Sequence, residues 1–355
     1  MFKRFVLFVA LGALGLIALA CAPAPTPVPP TAAPTAVPTA KPLRHLVYGS
    51  PVTPPNMVHL APYVAQDMGF FKEVGLEVEF KTFEGGIGAF RGMVSGGLDI
   101  AGTSSDALIA AVSQGVAVHA IGTYAPKLSQ VMVSTPDVKT PADLKGKKMG
   151  IQEVGGFADV MNQLLLSSAG LKKDDVTSIS VTTAGRVAAL VTGQINAHAL
   201  HADQYYAALK QKPDLVTLAK MWEVAPKWWY AAFVASDDAV KKNPDLYIDF
   251  MTAIVKAQRF MYTNKDKTVE IGIKYTKEDP DAVSKAYDDL AKGGIWAVND
   301  GMPKDFVQYT IDKKVELGSL TADKKPTYDQ IVDLSIVNEA IKRLGGPMTG
   351  DPRWY

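Results

Sequence analysis

Cysteine is almost missing from these 355 residues: Cys21 stands alone. That excludes any intrachain disulfide and any cluster of cysteines around a metal or an iron centre. Catalytic signatures are missing as well. No G-x-S-x-G elbow and no H-E-x-x-H pair occurs, and neither Gly85-Gly86 nor Gly155-Gly156 is followed by the Gly-Lys-Ser of a phosphate-binding loop. Motif-bearing serine hydrolases, zinc peptidases and P-loop enzymes are thereby excluded. Nor is there an excess of charge of either sign. The chain holds 37 Lys and Arg against 36 Asp and Glu, and without Lys3 and Arg4 the balance is 35 to 36. A nucleic-acid binder would carry a basic face or stripe.

What is present begins at the amino end. Lys3 and Arg4 precede an apolar run from Phe5 to Ala20 that ends in small residues just before Cys21. Sixteen residues are short for a membrane span, which needs about 20, so residues 1–20 are expected to be a cleaved signal peptide. Ala18-Leu19-Ala20-Cys21 resembles a bacterial lipobox, with Ala18 where a larger aliphatic residue is usual. Cys21 is therefore the expected lipidation site, anchoring the mature chain to the outer face of the cell membrane. Residues 21–42 follow as a Pro/Ala/Thr-rich stalk: from Ala22 to Pro42 there are eight prolines and one charge, Lys41. Such a segment stays extended at about 3.1 Å per residue, giving a tether of up to about 65 Å.

Beyond the stalk about 313 residues remain, more than one core usually supports, so two lobes are expected. Short apolar or alternating runs exchange with amphipathic stretches, the pattern of an α/β protein with largely parallel sheets. Predicted strands are 46–48, 77–82, 100–102, 116–121, 149–151, 178–182, 197–200 and 216–219. Helices are predicted around 60–68, 105–114, 157–169, 185–192 and 203–211, followed by a mostly helical remainder from 245 to 344.

Four segments carry a resemblance: APYVAQDMGFFKEVGLEVEF (61–80), VSGGLDIAGTSSDALIAA (94–111), DLKGKKMGIQEVGG (143–156) and RVAALVTGQINAHAL (186–200). In order and spacing they are similar to the periplasmic solute-binding proteins of ABC importers for nitrate, sulfonates, taurine, thiamine-precursor pyrimidines and riboflavin. The resemblance implies a type II periplasmic binding-protein fold: two α/β lobes joined by a two-crossing hinge, with an α-rich carboxyl-terminal part. It implies lobe I from 43–132 and 230–355, lobe II from 133–229, and a ligand held in the cleft between them. A fungal enzyme of this superfamily makes the thiamine pyrimidine with a cysteine cluster that Cys21 alone cannot supply. The chain is accordingly expected not to be an enzyme, and to need no cofactor.

Ligands of open α/β sheets sit beyond the carboxyl ends of the strands. This places candidate ligand contacts at Ser50, Thr53 and Asn56 after the first strand, at Glu84, Gly85 and Gly86 after the second, and at Thr103, Ser104, Ser105 and Asp106 after the third. The second lobe offers Gly155, Gly156 and Phe157, then His201, Asp203 and Tyr205. Each has a plainer role open to it: Ser105 suits an N-cap, and paired glycines suit sharp turns. Three loops, at 50–56, 103–106 and 155–157, hold no basic residue, which suits an anion poorly unless Arg91 or Arg186 reaches in. Trp228, Trp229 and Tyr230 gather near the expected return crossing, where they stack on a flat ligand or pack the lobe junction. Trp222 and Trp296 read as packing. An uncharged heterocycle is expected on these grounds, riboflavin first and an aminopyrimidine next; a sulfonate, taurine or nitrate ligand is the alternative. His198, His201 and Asp203 are the nearest approach to a metal cluster, but they fall on a strand and a loop, so no metal is expected. The expected partners are the small-molecule ligand, an ABC permease with its ATPase, and the membrane through the lipid anchor; no nucleic acid is expected, and the protein should be a monomer. A non-transport adhesive or sensory lipoprotein is the reading from another class.

Overall fold

Alternation of Leu76, Val78 and Phe80 with Glu77, Glu79 and Lys81 builds an edge strand with one wet face, whereas Ile100–Ser104 is buried throughout and lies inside its sheet. The computed structural model describes residues 42–351 and 353. The leader, Cys21 and nearly all of the stalk lie outside the described residues. Among the described residues, ten strands form two five-stranded sheets. The first contains β1 (Arg44–Ser50), β2 (Leu76–Thr82), β3 (Ile100–Ser104), β4 (Val118–Gly122) and β10 (Ala231–Ser236), in the order β2-β1-β3-β10-β4. The second contains β5 (Val131–Ser134), β6 (Lys148–Ile151), β7 (Thr177–Ser180), β8 (Ala197–Leu200) and β9 (Val216–Lys220), in the order β7-β6-β8-β5-β9.

Both sheets are parallel except at one strand. β10 runs antiparallel to β3 and β4, and β5 runs antiparallel to β8 and β9. These are the first strands entered after the chain passes from one sheet to the other, through residues 123–130 and 221–230. Neither is among the predicted strands. Both crossings approach the far sheet from the cleft side, which reverses the direction of the strand that follows.

Helices cover the sheets: α1 (Ala61–Asp67), α2 (Gly86–Val94) and α3 (Ser105–Val112) in the first lobe, and α4 (Phe157–Ser168), α5 (Arg186–Val191) and α6 (Ala202–Gln211) in the second. The two α/β lobes are completed by α7 (Pro244–Thr263), α8 (Lys265–Thr276), α9 (Pro280–Gly293), α10 (Lys304–Glu316) and α11 (Leu334–Arg343), which follow β10. α2 falls where the sequence reading placed a loop. Gly86, Gly88 and Gly92 each weaken a helix by about 1 kcal/mol relative to Ala, and burial of Ala89, Phe90 and Met93 on one face overrides that cost. The main core packs around Tyr48, Phe233, Phe250 and Trp296; a smaller one in the second lobe is built on Val133, Leu190, Ile195 and Leu200. Among the described residues no helix is long and apolar enough to cross a membrane.

Candidate functional site

The strand order in the first sheet places β1 between β2 and β3, so the chain leaves β1 and its two neighbours on opposite sides of one crevice. A cavity of about 30 Å³ lies there, where the two lobes meet. That is room for about two water molecules. Pro51 and Val52 follow β1, Gly85 and Gly86 follow β2, and Ser104 ends β3. The second lobe contributes Gln152 and Glu153 after β6, Phe157 at the start of α4, and His201 after β8. Tyr124 and Tyr230 come from the two crossing segments, and His59 from the short turn ahead of α1.

Rings from both lobes and both crossings enclose the cavity. Phe157 and Tyr230 lie 4.5 Å apart between centroids, His59 lies 5.0 Å from Tyr124, and His59 meets His201 edge to face at 5.2 Å. The imidazoles are neutral near pH 7. Burial, with the Arg186 charge as a second cause, pushes His59 down to about 3. Burial also holds His201 well below its ordinary value. Gln130 donates to Nδ1 of His201 at 3.3 Å, and the Tyr230 hydroxyl meets Nε2 of His59 at 3.3 Å. Nδ1 of His59 has no hydrogen-bond partner.

Behind these rings lies a buried charged group. Arg186, at the start of α5, is 1% exposed, and among the described residues its Nε and Nη2 have no hydrogen-bond partner. Burial lowers its pKa to about 10, which leaves it protonated at neutral pH, and Asp203 and Glu84 act against that lowering. Asp203 is raised by burial even though it accepts from Nδ2 of Asn56 at 3.1 Å and from the backbone N–H of Met57 at 3.3 Å. Those two bonds cross the cleft from the first lobe to the second.

Of the residues named from sequence, Gly85, Gly86, Ser104, Phe157, His201 and Tyr230 line this cavity. The others lie outside it. Ser50 is occupied with the carbonyl of Val52 and the hydroxyl of Tyr63; Thr53 is half-buried on the loop beyond; Asn56 and Asp203 hold each other. Glu84 stands at the exposed rim, accepting from Thr183 N–H at 3.1 Å. Thr103 donates to the Gly86 carbonyl and Ser105 to that of Trp229, so Ser104, not Ser105, stands at the N-cap position of α3. Asp106 is turned away into a buried ion pair with Lys314 at 3.2 Å. Gly155 adopts φ +75° in the turn before α4, where Gly156 is the N-cap. Tyr205 bonds to the hydroxyl of Thr217, and Trp228 and Trp229 are wholly buried in the core. Stacking of a ligand on the two tryptophans is therefore set aside: both indoles are fully buried in the main core.

Pro51, Val52, His59, Tyr124, Gln152 and Glu153 also line the cavity, though none was singled out as a ligand contact; Pro51 and Val52 lie in the predicted 50–56 loop. Extending the strand-end rule to β4 would have reached Tyr124, and extending it by two residues at β6 would have reached Gln152 and Glu153. His59 carries no such signal, since it lies nine positions beyond the end of β1. His198 and His201 do not share a metal site; among the described residues no group of three or more His, Cys, Asp or Glu is placed to hold a metal ion.

Comparison with known proteins gives four findings. Residues 56–268 match the family model described as NMT1/THI5 like. The binding protein YtlA of Bacillus subtilis is 27% identical over 293 residues, spanning 78% of this chain and 84% of its own length. The taurine-binding periplasmic protein of Escherichia coli is 26% identical over 213 residues, 57% of this chain and 63% of its own. Among solved structures, the periplasmic nitrate-binding protein NrtA of Synechocystis superposes with a TM-score of 0.70 at 18% identity, covering 85% of this chain and 89% of NrtA. At that identity the likeness establishes the fold, that of the periplasmic binding proteins.

Proposed function

This chain belongs to the NMT1/THI5-like family, and from that premise we propose that it is the solute-binding subunit of an ABC importer whose ligand is a small anion of the sulfonate, taurine or nitrate kind. The ligand is caught between the lobes and handed to a permease driven by its ATPase. The carrying observation is the two-lobed cavity itself. It brings Gly85 and Gly86 at the start of α2 together with the neutral imidazoles of His59 and His201, with the buried Arg186 cation coupled to both. The similarity to a taurine-binding periplasmic protein favours an anion over a flavin. The aromatic set that favoured riboflavin is also reduced, because Trp228 and Trp229 are in the core. An aminopyrimidine is the second reading, supported by the ring slot formed by Phe157 and Tyr230.

In this reading residues 123–130 and 221–230 are the hinge, and both lobes must touch one molecule for closure to be favoured. Lipidation of Cys21 and the proline-rich tether keep the monomeric body at the outer face of the membrane, within reach of its permease. The test is a thermal-shift panel of taurine, an alkanesulfonate, nitrate, an aminopyrimidine and riboflavin. A ligand at 100 times its Kd adds about 2.7 kcal/mol. A rise with one of the anions is the expected result. A rise with riboflavin or the pyrimidine alone overturns the anion assignment, and no rise with any compound counts against transport.

A further inference from the structure

Two glutamates stand just before paired glycines, one in each lobe: Glu84 before Gly85-Gly86, and Glu153 two residues before Gly155-Gly156. Each reaches across the cleft. Glu153, from the second lobe, accepts the backbone N–H of Ile87 in the first turn of α2 at 2.9 Å. Glu84, from the first lobe, accepts the backbone N–H of Thr183 ahead of α5 at 3.1 Å. The seat for Glu153 exists because Gly85 has no side chain: a Cβ there would lie 2.1 Å from Oε1 of Glu153. Gly85 itself has an extended backbone (φ −167°) that any residue adopts, so a side chain there is opposed not by conformation but by the Glu153 carboxylate, the movable end of a flexible side chain. Glu153 also lines the cavity.

We infer that Glu84 and Glu153 form a reciprocal latch that closes the protein without a ligand, and that Glu153 is the internal anion an incoming ligand must displace. The second half rests on the anion reading above; the first half does not. A ligand anion and the Glu153 carboxylate cannot share the α2 terminus, since like charges at such range repel. Entry therefore exchanges one bridge between the lobes for another. Glu153 then acts as a specificity-determining residue, because a weakly bound anion fails to displace it. Glu84, at the exposed rim, is the lesser member, as solvent screens its bond.

The latch is tested by small-angle scattering of the ligand-free protein as wild type, Glu153→Ala and Gly85→Ala, with circular dichroism confirming the fold. The Gly85→Ala change unseats Glu153 without altering it. Both variants should show a larger radius of gyration than the wild type, and both should contract more when ligand is added; unchanged radii overturn the latch. The competitor is tested by titrating taurine and an alkanesulfonate calorimetrically into wild type and Glu153→Gln. Exchange of a carboxylate acceptor for a neutral amide oxygen weakens the bond to Ile87 and removes the like charge, which predicts an affinity gain of about tenfold. A loss of affinity would make Glu153 a ligand contact instead and overturn the competitor. No binding to either form would overturn the anion reading together with the competitor, while the scattering still judges the latch.

Discussion

Replacing Lys314 by Met removes one half of a buried ion pair and leaves the other in place. Lys314 of α10 and Asp106 at the start of α3 are 3.2 Å apart, with side chains 4% and 1% exposed, and Oδ2 of Asp106 has no other partner. An uncompensated buried carboxylate typically costs about 3–5 kcal/mol. For a body of this size, at roughly 2 °C per kcal/mol, that lowers the melting temperature by about 6–10 °C. The double variant Asp106→Leu with Lys314→Met removes both charges, and should recover most of the loss, since well-packed apolar replacements of buried pairs are often neutral. Differential scanning calorimetry of wild type, single and double variants measures this directly. The double variant should also keep the ligand-induced rise in melting temperature, because Asp106 faces α10 and not the cavity. A single variant that melts within 1 °C of the wild type would refute the reasoning on stability. A double variant that is stable yet blind to ligand would return Asp106 to the binding site.

Three other outcomes follow from the same structure. Burial, with Asp203 nearby, raises Glu278 to about 7, so between its ordinary value and 7 the folded state holds a proton that the unfolded state has released. Stability should therefore fall as pH rises through that window and level off above it; Glu278→Gln should flatten the slope seen in melts from pH 5 to 8, and an unchanged slope would contradict the assignment. Arg186→Met should weaken binding of an anionic ligand, because it removes the field of a buried cation close to the cavity and not a direct ligand contact, with the calorimetric Kd as the measure; an unchanged Kd would remove the buried cation from the account of binding. Cys21→Ser should move the protein from the membrane fraction to the soluble exported fraction, and persistent membrane retention would refute lipid anchoring.

Much of the fold was legible because burial wrote itself into the residue pattern. The alternation at 76–82 and the apolar runs at 100–102 and 197–200 each placed a strand. β5 and β10 were hidden by their position, since Val131–Ser134 and Ala231–Ser236 sit at the crossings and read as connections. α2 was hidden by its glycines. The site was less legible. Strand ends pointed to Gly85, Gly86, Ser104 and His201, which line the cavity, but sequence proximity cannot say which way a side chain turns. Asp106 turns to Lys314 and Ser105 to the Trp229 carbonyl, while the tryptophans at 228 and 229 go into the core. The bridging role of Glu153 depends on contact with a residue 66 positions away, and no local pattern encodes it.

The most direct measurement is a crystal structure of the protein with whichever compound of the panel raises its melting temperature most. The compound should touch Gly86 or Ser104 on one lobe and Phe157 or His201 on the other at the same time. Density for that compound on a single lobe, or anywhere outside this cleft, would contradict the account.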